Sequence, residues 1–251
     1  PPAQIPDKES IVRPLPAAES LAIRGDFHLR LSRIREARAL LQEALRLDPG
    51  LALAAESLGF LHYRLDQRVE AARWFARAVE LDSRNSLAHY YHALLQVEGP
   101  VTPDVAQRAE ASLLRAIELN PNFAPAYATL ASLYSSREDT LEKALPAAKK
   151  SVELDPMQQL YELNLGRVLL RMERVVEARE IGNRIRSTAR SADARNEAER
   201  FLREVANFER LLAERKQPQE EVRAYAQKLQ SQRRSGANPP ANAESELPGP
   251  S

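Results

Sequence analysis

Small residues recur along the chain at nearly constant intervals. A series of Gly and Ala is followed, unit after unit, by two further series that are mainly alanine. A fixed period of 20–50 residues is the signature of stacked supersecondary units, so the pattern predicts five helix pairs. The three series are Gly25, Gly59, Ala93, Ala131 and Gly166; Ala37, Ala71, Ala109, Ala144 and Ala178; and Ala44, Ala78, Ala116, Ser151 and Ile185.

Two of the intervals are longer than the rest, and the extra residues have a local cause. They fall between the first and second series of the third and fourth units, where Gly99, Pro100 and Pro103 or residues 137–140 lie. Gly and Pro mark turns, and insertions are tolerated in turns better than in packed helices. The turns inside these two units are therefore predicted to be longer.

The pattern resembles the tetratricopeptide repeat family, whose signature includes Leu-Gly, spaced alanines and a terminal proline. The second unit matches it with Leu58, Gly59, Ala71, Phe75 and Ala78. The fourth unit matches with Tyr127, Leu130, Ala131, Tyr134, Ala144 and Pro156.

The resemblance implies an all-α fold, a right-handed α-solenoid of five tetratricopeptide-like helix hairpins plus a C-terminal capping helix. The expected repeats are residues 18–51, 52–85, 86–122, 123–157 and 158–190. Several positions depart from the family pattern: Arg24 and His92 stand where Leu is expected, Glu162 takes an apolar place, and Arg190 replaces the last proline. The end units are therefore expected to be looser.

An apolar stripe follows the fifth unit with the spacing of one helix face, and it predicts an amphipathic capping helix at 191–216. A cap is favoured over a dimer-forming coiled coil because the stripe is shorter than three heptads. Residues 217–230 are expected to be a short helix or linker, 231–251 a disordered tail and 1–17 a proline-rich linker. The stripe consists of Ala198, Phe201, Val205, Phe208 and Leu212.

Composition narrows the function classes. Lys and Arg number 36 against 35 Asp and Glu, so no basic excess favours a nucleic-acid partner. The absence of Cys excludes disulfides and thiolate metal sites. No segment is apolar enough to span a membrane. The compartment is not identified, although the composition and the start at Pro1 favour an exported bacterial protein over a cytoplasmic one.

No catalytic motif is present, and we expect no catalytic residues, metal or cofactor. The sequence has no HExxH, no phosphate-binding glycine loop and no nucleophile turn. His28 and His62 occupy equivalent packing positions in the first two units. His89 and His92 have a spacing compatible with two metal ligands, but both fall at inward-facing positions.

The first helix of each hairpin is called helix A. The A helices of such hairpins are expected to line a concave groove. Aromatic and Arg side chains are frequent at binding hot spots, although some of these could simply pack between helices. The expected partner-binding residues are Phe60, Tyr63, Arg64, Tyr90, Leu94, Arg167 and Arg171.

Family members that bind chaperone tails hold carboxylates with Lys and Asn on adjacent A helices. The corresponding positions here cannot form a cationic clamp, so chaperone tails are not expected as partners. These positions hold Ala22, Asp26, Glu56, Phe60, Tyr90 and Leu94.

The function expected from the sequence is a monomeric protein–protein interaction scaffold that binds a peptide or protein segment. The alternative is a C-terminal accessory domain of a larger, peptidase-like bacterial enzyme. RNA or lipid binding is the third and least favoured interpretation.

Overall fold

The computed structural model describes residues 15–234, and its regular structure in that range is entirely helical. The all-α prediction is confirmed. Within the described range, none of the helices has the length and apolarity needed to cross a membrane. The helices are α1 (Ala17–Arg30), α2 (Ile34–Leu47), α3 (Ala52–Arg64), α4 (Arg68–Glu80), α5 (Ser86–Val97), α6 (Pro103–Leu119), α7 (Ala124–Ser135), α8 (Leu141–Leu154), α9 (Gln159–Arg171), α10 (Val175–Thr188) and α11 (Ala192–Arg234).

The chain divides into two compact units, a first unit ending at Asn164 and a second unit starting at Leu165. In the first unit, α1 packs with α2, α3 with α4, α5 with α6 and α7 with α8, and each pair also contacts the next. In the second unit, α10 packs with α11. The five predicted repeat ranges remain a prediction, but successive helix pairs fall within them to within one residue.

In the first unit, glycines let the two helices of a pair approach closely. A Cβ added to Gly59 of α3 would lie 2.7 Å from the ring of Phe75 on α4. A Cβ added to Gly25 of α1 would lie 2.7 Å from Leu41 on α2. Phe75 and Leu41 are fully buried, so neither can move aside without loss of packing.

In the second unit a helix glycine also accommodates a bulky side chain, but that side chain comes from a different helix. The position equivalent to Leu41 and Phe75, sixteen residues after the A-helix glycine, is Gly182. The space is filled by Phe201 of α11, whose ring would overlap a Cβ on Gly166 and lies 3.1 Å from one on Gly182. Phe201 is fully buried. In this unit Gly166 therefore makes room for a side chain from α11 rather than from the helix that follows it.

The apolar stripe after the fifth pair forms the buried face of α11. Ala198, Phe201 and Val205 are fully buried, while Phe208 and Leu212 are half-buried. The decreasing burial shows that the first half of α11 carries the packing against α10.

Helix α11 is longer than the sequence predicted. The predicted capping helix and the following short helix or linker form one helix that continues past Pro218 to Arg234. Proline removes one backbone hydrogen bond, but strong helix formers flank it on both sides and the helix continues. Residues 231–234 of the predicted tail belong to α11, while 235–251, and 1–14 of the predicted linker, lie outside the described residues.

The turns inside three pairs place a non-glycine residue in the left-handed backbone region. Ser32, Asp66 and Glu173 have φ angles of 61°, 57° and 59°. The next amide in each turn donates to a carbonyl five residues back, for example Gln67 N to His62 O at 3.0 Å. These turns follow the Schellman pattern, in which glycine is the usual residue.

The longer turns predicted in the third and fourth pairs are confirmed. Five residues separate α5 from α6, and a 3-10 turn over Glu138–Thr140 precedes α8. Thr140 is buried and donates its hydroxyl hydrogen to Tyr134 O at 2.8 Å, which ties this insertion to the end of α7.

His92 is a partly buried polar residue of the third pair. Its Nδ1 lies 2.8 Å from Ser112 Oγ on α6, and its Nε2 lies 2.6 Å from Gln96 Nε2. Burial, with smaller contributions from His89 and Arg108, lowers the pKa of His92 to about 4. The imidazole is therefore neutral at neutral pH, and it occupies the place where the repeat pattern expects Leu.

Replacing Gly59 by Ala tests the close helix approach. We expect Gly59→Ala to lower the free energy of unfolding by about 1–3 kcal/mol, because the new methyl group forces a buried ring to move. The better helix propensity of Ala offsets part of this cost. Urea denaturation followed by circular dichroism measures the change.

Gly99→Ala is the matched control, because nothing lies within 4 Å of a Cβ at this turn residue. It should leave the free energy of unfolding within about 0.5 kcal/mol of the native value. Equal effects of the two substitutions would contradict the packing role of Gly59.

The partly buried imidazole of His92 predicts a pH dependence of stability. The unfolded chain binds a proton at His92 near pH 6.5, whereas the folded chain does so only near pH 4. Stability should therefore fall as pH drops from about 6.5 to about 4. Compared with His92→Leu, the native chain should lose roughly 1–2 kcal/mol more between pH 7 and pH 5 in urea titrations. Parallel pH profiles of the two chains would show that His92 does not titrate in this way.

Candidate functional site

A groove on the first unit contains two of the predicted partner-binding residues, Phe60 and Arg64. It has a volume of about 360 Å³ and is formed by α1, α3 and the start of α5. Four apolar side chains and a set of polar and charged side chains share its wall. The residues that line this first-unit groove are Asp26, Leu29, Arg30, Leu53, Glu56, Ser57, Phe60, Arg64, Asn85 and Leu87.

Helix α3 supplies the central wall of the first-unit groove. Leu53, Glu56, Phe60 and Arg64 are spaced by three, four and four residues. This spacing places them on one helix face because an α-helix has 3.6 residues per turn. Along its axis the wall therefore alternates apolar, acidic, apolar and basic.

Glu56 is held by residues of the segment that connects α4 to α5. Its Oε1 accepts from Ser83 Oγ at 2.6 Å and its Oε2 accepts from Asn85 Nδ2 at 2.9 Å. Asn85 also caps α5, since its Oδ1 accepts from Leu87 N at 3.0 Å. The carboxylate is thus fixed in orientation, with only 7% of the residue exposed.

The other charged groups of the first-unit groove have partners on α1. Asp26 pairs with Arg30 at 2.8 Å. Arg64 donates to Leu29 O at 2.5 Å and to Ser32 Oγ at 2.8 Å. The predicted binding residue Arg64 therefore connects α3 to the C-terminal end of α1 while lining the groove.

Behind the groove wall lies an aromatic cluster. The ring centroids of Phe60 and Phe75 are 5.0 Å apart, and the Tyr91 ring lies 5.7 Å from Phe60 and 4.5 Å from Tyr63. Arg68 lies over the Tyr63 ring at 4.6 Å. Such contacts contribute beyond the area they bury, so Phe60 has both a groove-lining and a packing role.

Tyr90 and Leu94 lie on α5 outside the residues that line the groove. The Tyr90 ring packs edge-on against Phe123 at 5.1 Å and against Tyr91 at 5.3 Å. Burial raises the pKa of both tyrosines above the ordinary value, which keeps their hydroxyls neutral. Leu94 is half-buried.

Arg167 and Arg171 belong to the second unit. There they line a separate cavity of about 300 Å³ with Leu170, Phe208 and Leu211. Glu204 pairs with Arg167 at 3.3 Å on the same cavity wall. The predicted residues thus divide between two units, and whether any of them binds a partner remains a prediction.

The sequence interpretation missed most of the residues that line the first-unit groove. Leu53 lies seven residues before Phe60, and Leu29 lies on the same face of α1 as Asp26. Extending the groove positions by one turn on each A helix would have found both residues. The same extension on α5 finds Leu87, which lies seven residues before Leu94. Asn85 offered no such signal, because it precedes α5 in the connection from α4.

The histidine pair on α5 is engaged in packing contacts. His89 Nε2 lies 2.8 Å from Ser83 O, and His92 contacts Ser112. Among the described residues, no three His, Asp or Glu side chains are grouped so that they could hold a metal.

The comparisons with known proteins agree with this architecture. The family model described as tetratricopeptide repeat matches residues 18–51. No curated protein matches the chain.

Solved structures share the fold at low sequence identity. YrrB, described as a tetratricopeptide repeat protein with an unusual peptide-binding site, has a TM-score of 0.62 and 21% identity, over 73% of this chain and 92% of that chain. PilF of Pseudomonas aeruginosa has a TM-score of 0.52 and 20% identity, over 78% and 91%. Yeast Tom70 has a TM-score of 0.53 and 19% identity, over 80% of this chain and 43% of its own.

The predicted fold class is therefore confirmed. The chain has the helix-hairpin fold of tetratricopeptide repeat proteins, and its residues 18–51 match the family model of that repeat.

Proposed function

We propose that the chain is a protein-interaction scaffold that binds an extended or helical segment of a partner protein in the first-unit groove. The fold supports the general role, since helical repeats of this family present open surfaces to protein partners. The observation that carries the proposal is the groove itself, in which apolar side chains alternate with fixed charged groups. A few well-placed polar groups within an apolar cavity are typical of binding sites.

Two features of the groove favour a peptide segment as its occupant. Leu87 is 41% exposed at the groove edge, so it has apolar surface that a partner can still bury. Glu56 and Arg64 are held by hydrogen bonds before any partner arrives, which reduces the entropy lost on binding.

YrrB, which shares the fold, is described as having a peptide-binding site. The low sequence identity means that this description supports the class of partner and says nothing of its sequence.

Among the residues expected from the sequence, Phe60 and Arg64 are proposed as direct contacts. Tyr63 and Tyr90 are proposed to hold the groove wall through their ring contacts on α3 and α5. Arg167 and Arg171 are proposed as contacts of the second-unit cavity. The role of Leu94 remains a prediction.

The interpretation as an accessory domain of a peptidase-like enzyme finds no support in the comparisons, and we do not extend it. Catalysis is not part of the proposed function, because scaffold binding accounts for the features of the groove without it.

Leu87→Ser tests the groove as the binding surface. Peptides selected from a random displayed library on the native chain should bind Leu87→Ser about 5- to 20-fold more weakly in fluorescence polarisation. The expected loss reflects apolar contact area at the groove edge, worth about 25 cal/mol per Å².

Leu114→Ser on α6 is the matched control, since Leu114 is 42% exposed, nearly the same fraction as Leu87, and lies outside the groove. It should bind the same peptides within twofold of the native affinity. A selection that yields no binders, or equal losses in both variants, would refute the groove assignment.

A further inference from the structure

Glu56 is a buried carboxylate of the first-unit groove. Its two hydrogen-bond donors, Ser83 and Asn85, are neutral side chains. None of the ion pairs between the described side chains includes Glu56, whereas the neighbouring Asp26 is paired with Arg30. The two carboxylates of the groove therefore differ. Asp26 is paired with a cation, whereas Glu56 is removed from water and has no cation partner among the described side chains.

The geometry leaves room on this carboxylate for a further donor. A carboxylate has about four acceptor positions, and each oxygen of Glu56 receives one hydrogen bond. Removing a carboxylate from water is costly unless a cation or strong donors replace the water. Glu56 lines the open groove, so a group entering the groove can reach it.

The nearest basic residue on the same groove wall is too far along α3 to supply that cation. Arg64 follows Glu56 by eight residues, about 12 Å along the helix axis. Its guanidinium is directed to Leu29 O and Ser32 Oγ at the end of α1. Arg30 is occupied by Asp26 at 2.8 Å. Neither arginine of the groove lining is therefore directed to Glu56, and a cation of the occupant can take that place.

Apolar side chains flank the carboxylate on both sides. Leu53 precedes Glu56 by one turn and Phe60 follows it by one turn, while Leu87 lies on the α5 side of the groove. A charge pair formed between apolar walls is screened less than one on an open surface. The wall therefore complements a cation that is flanked by large apolar side chains.

We propose that the first-unit groove selects a basic peptide segment, in which a Lys or Arg side chain binds Glu56 and flanking apolar side chains contact Leu53, Phe60 and Leu87. This inference rests on the proposed function and specifies its partner. Its charge preference is opposite to that of a carboxylate-binding clamp, because the central charged group of the wall is an acid.

The test uses a random displayed peptide library selected in parallel on the native chain and on Glu56→Gln. Peptides selected on the native chain should be enriched in Lys or Arg next to Leu, Phe or another large apolar residue. For the tightest peptide, replacing its Lys or Arg with Gln should weaken binding to the native chain at least tenfold in fluorescence polarisation. The same replacement should change binding to Glu56→Gln by less than threefold.

Glu70→Gln is the matched control, since it removes the same charge from an exposed position on α4 outside the groove. It should keep the native preference for the basic peptide. Thermal melts followed by circular dichroism show whether Glu56→Gln is folded. If that variant is unfolded, the Lys-to-Gln comparison on the native chain decides alone.

The outcomes separate the two proposals. Binders that lose affinity in Leu87→Ser but show no basic preference would overturn the Glu56 inference and leave the groove as the binding site. A preference for acidic peptides, or a basic preference that survives in Glu56→Gln, would also overturn it. A library that yields no binders would overturn the proposed function itself.

Discussion

The close crossing of two helices at a missing side chain is the contact on which the rest of the structure depends. Phe75 and Leu41 fill the space that a Cβ would need on Gly59 and Gly25. The face of each A helix that carries the glycine is buried in this contact. Another face of α1 and α3 remains open, and it carries Asp26, Leu53, Glu56 and Phe60 into the first-unit groove. The glycine contacts and the groove lining thus lie on different faces of α1 and α3, and Phe60 joins the two because its ring also contacts Phe75.

The second unit shows that the requirement is for a filled space rather than for a particular helix. Its repeat has Gly182 where the bulky side chain is expected, and Phe201 of α11 fills the space left by Gly166 and Gly182 together. Helix α11 is therefore an integral part of the packing of this unit. A glycine of the first helix accommodates a side chain of its own hairpin in the first unit and a side chain of an additional helix in the second.

Much of the fold could be predicted from the sequence, because small residues recur at the positions where helices pack closely together. The spacing of small residues predicted the helix pairs, and the irregular intervals predicted the longer turns after α5 and α7. The predicted end of the capping helix at residue 216 was wrong, because the strong helix formers on both sides of Pro218 let α11 continue to Arg234. The left-handed turn residues Ser32, Asp66 and Glu173 carry no glycine signal, so no local rule would have found them.

The groove was harder to predict than the fold, since its chemistry depends on distant contacts. Glu56 stood out in the sequence only as a residue unable to bind carboxylates. Its fixed and unneutralised state depends on Ser83 and Asn85, which lie 27 and 29 residues further along the chain. Arg64 had been expected to face a partner, and its bonds to Leu29 and Ser32 depend on how α1 and α3 pack. Periodicity places a residue on a face, but it does not give the partners that set its charge environment.

The central claim is that the Phe75 ring occupies the space above Gly59, and a double-mutant cycle tests it most directly. The free energy of unfolding would be measured by urea denaturation for the native chain, Gly59→Ala, Phe75→Ala and the double variant. The account predicts that Gly59→Ala costs at least about 1 kcal/mol less in the Phe75→Ala background, because removal of the ring leaves room for the methyl group. Additive effects of the two substitutions would contradict it.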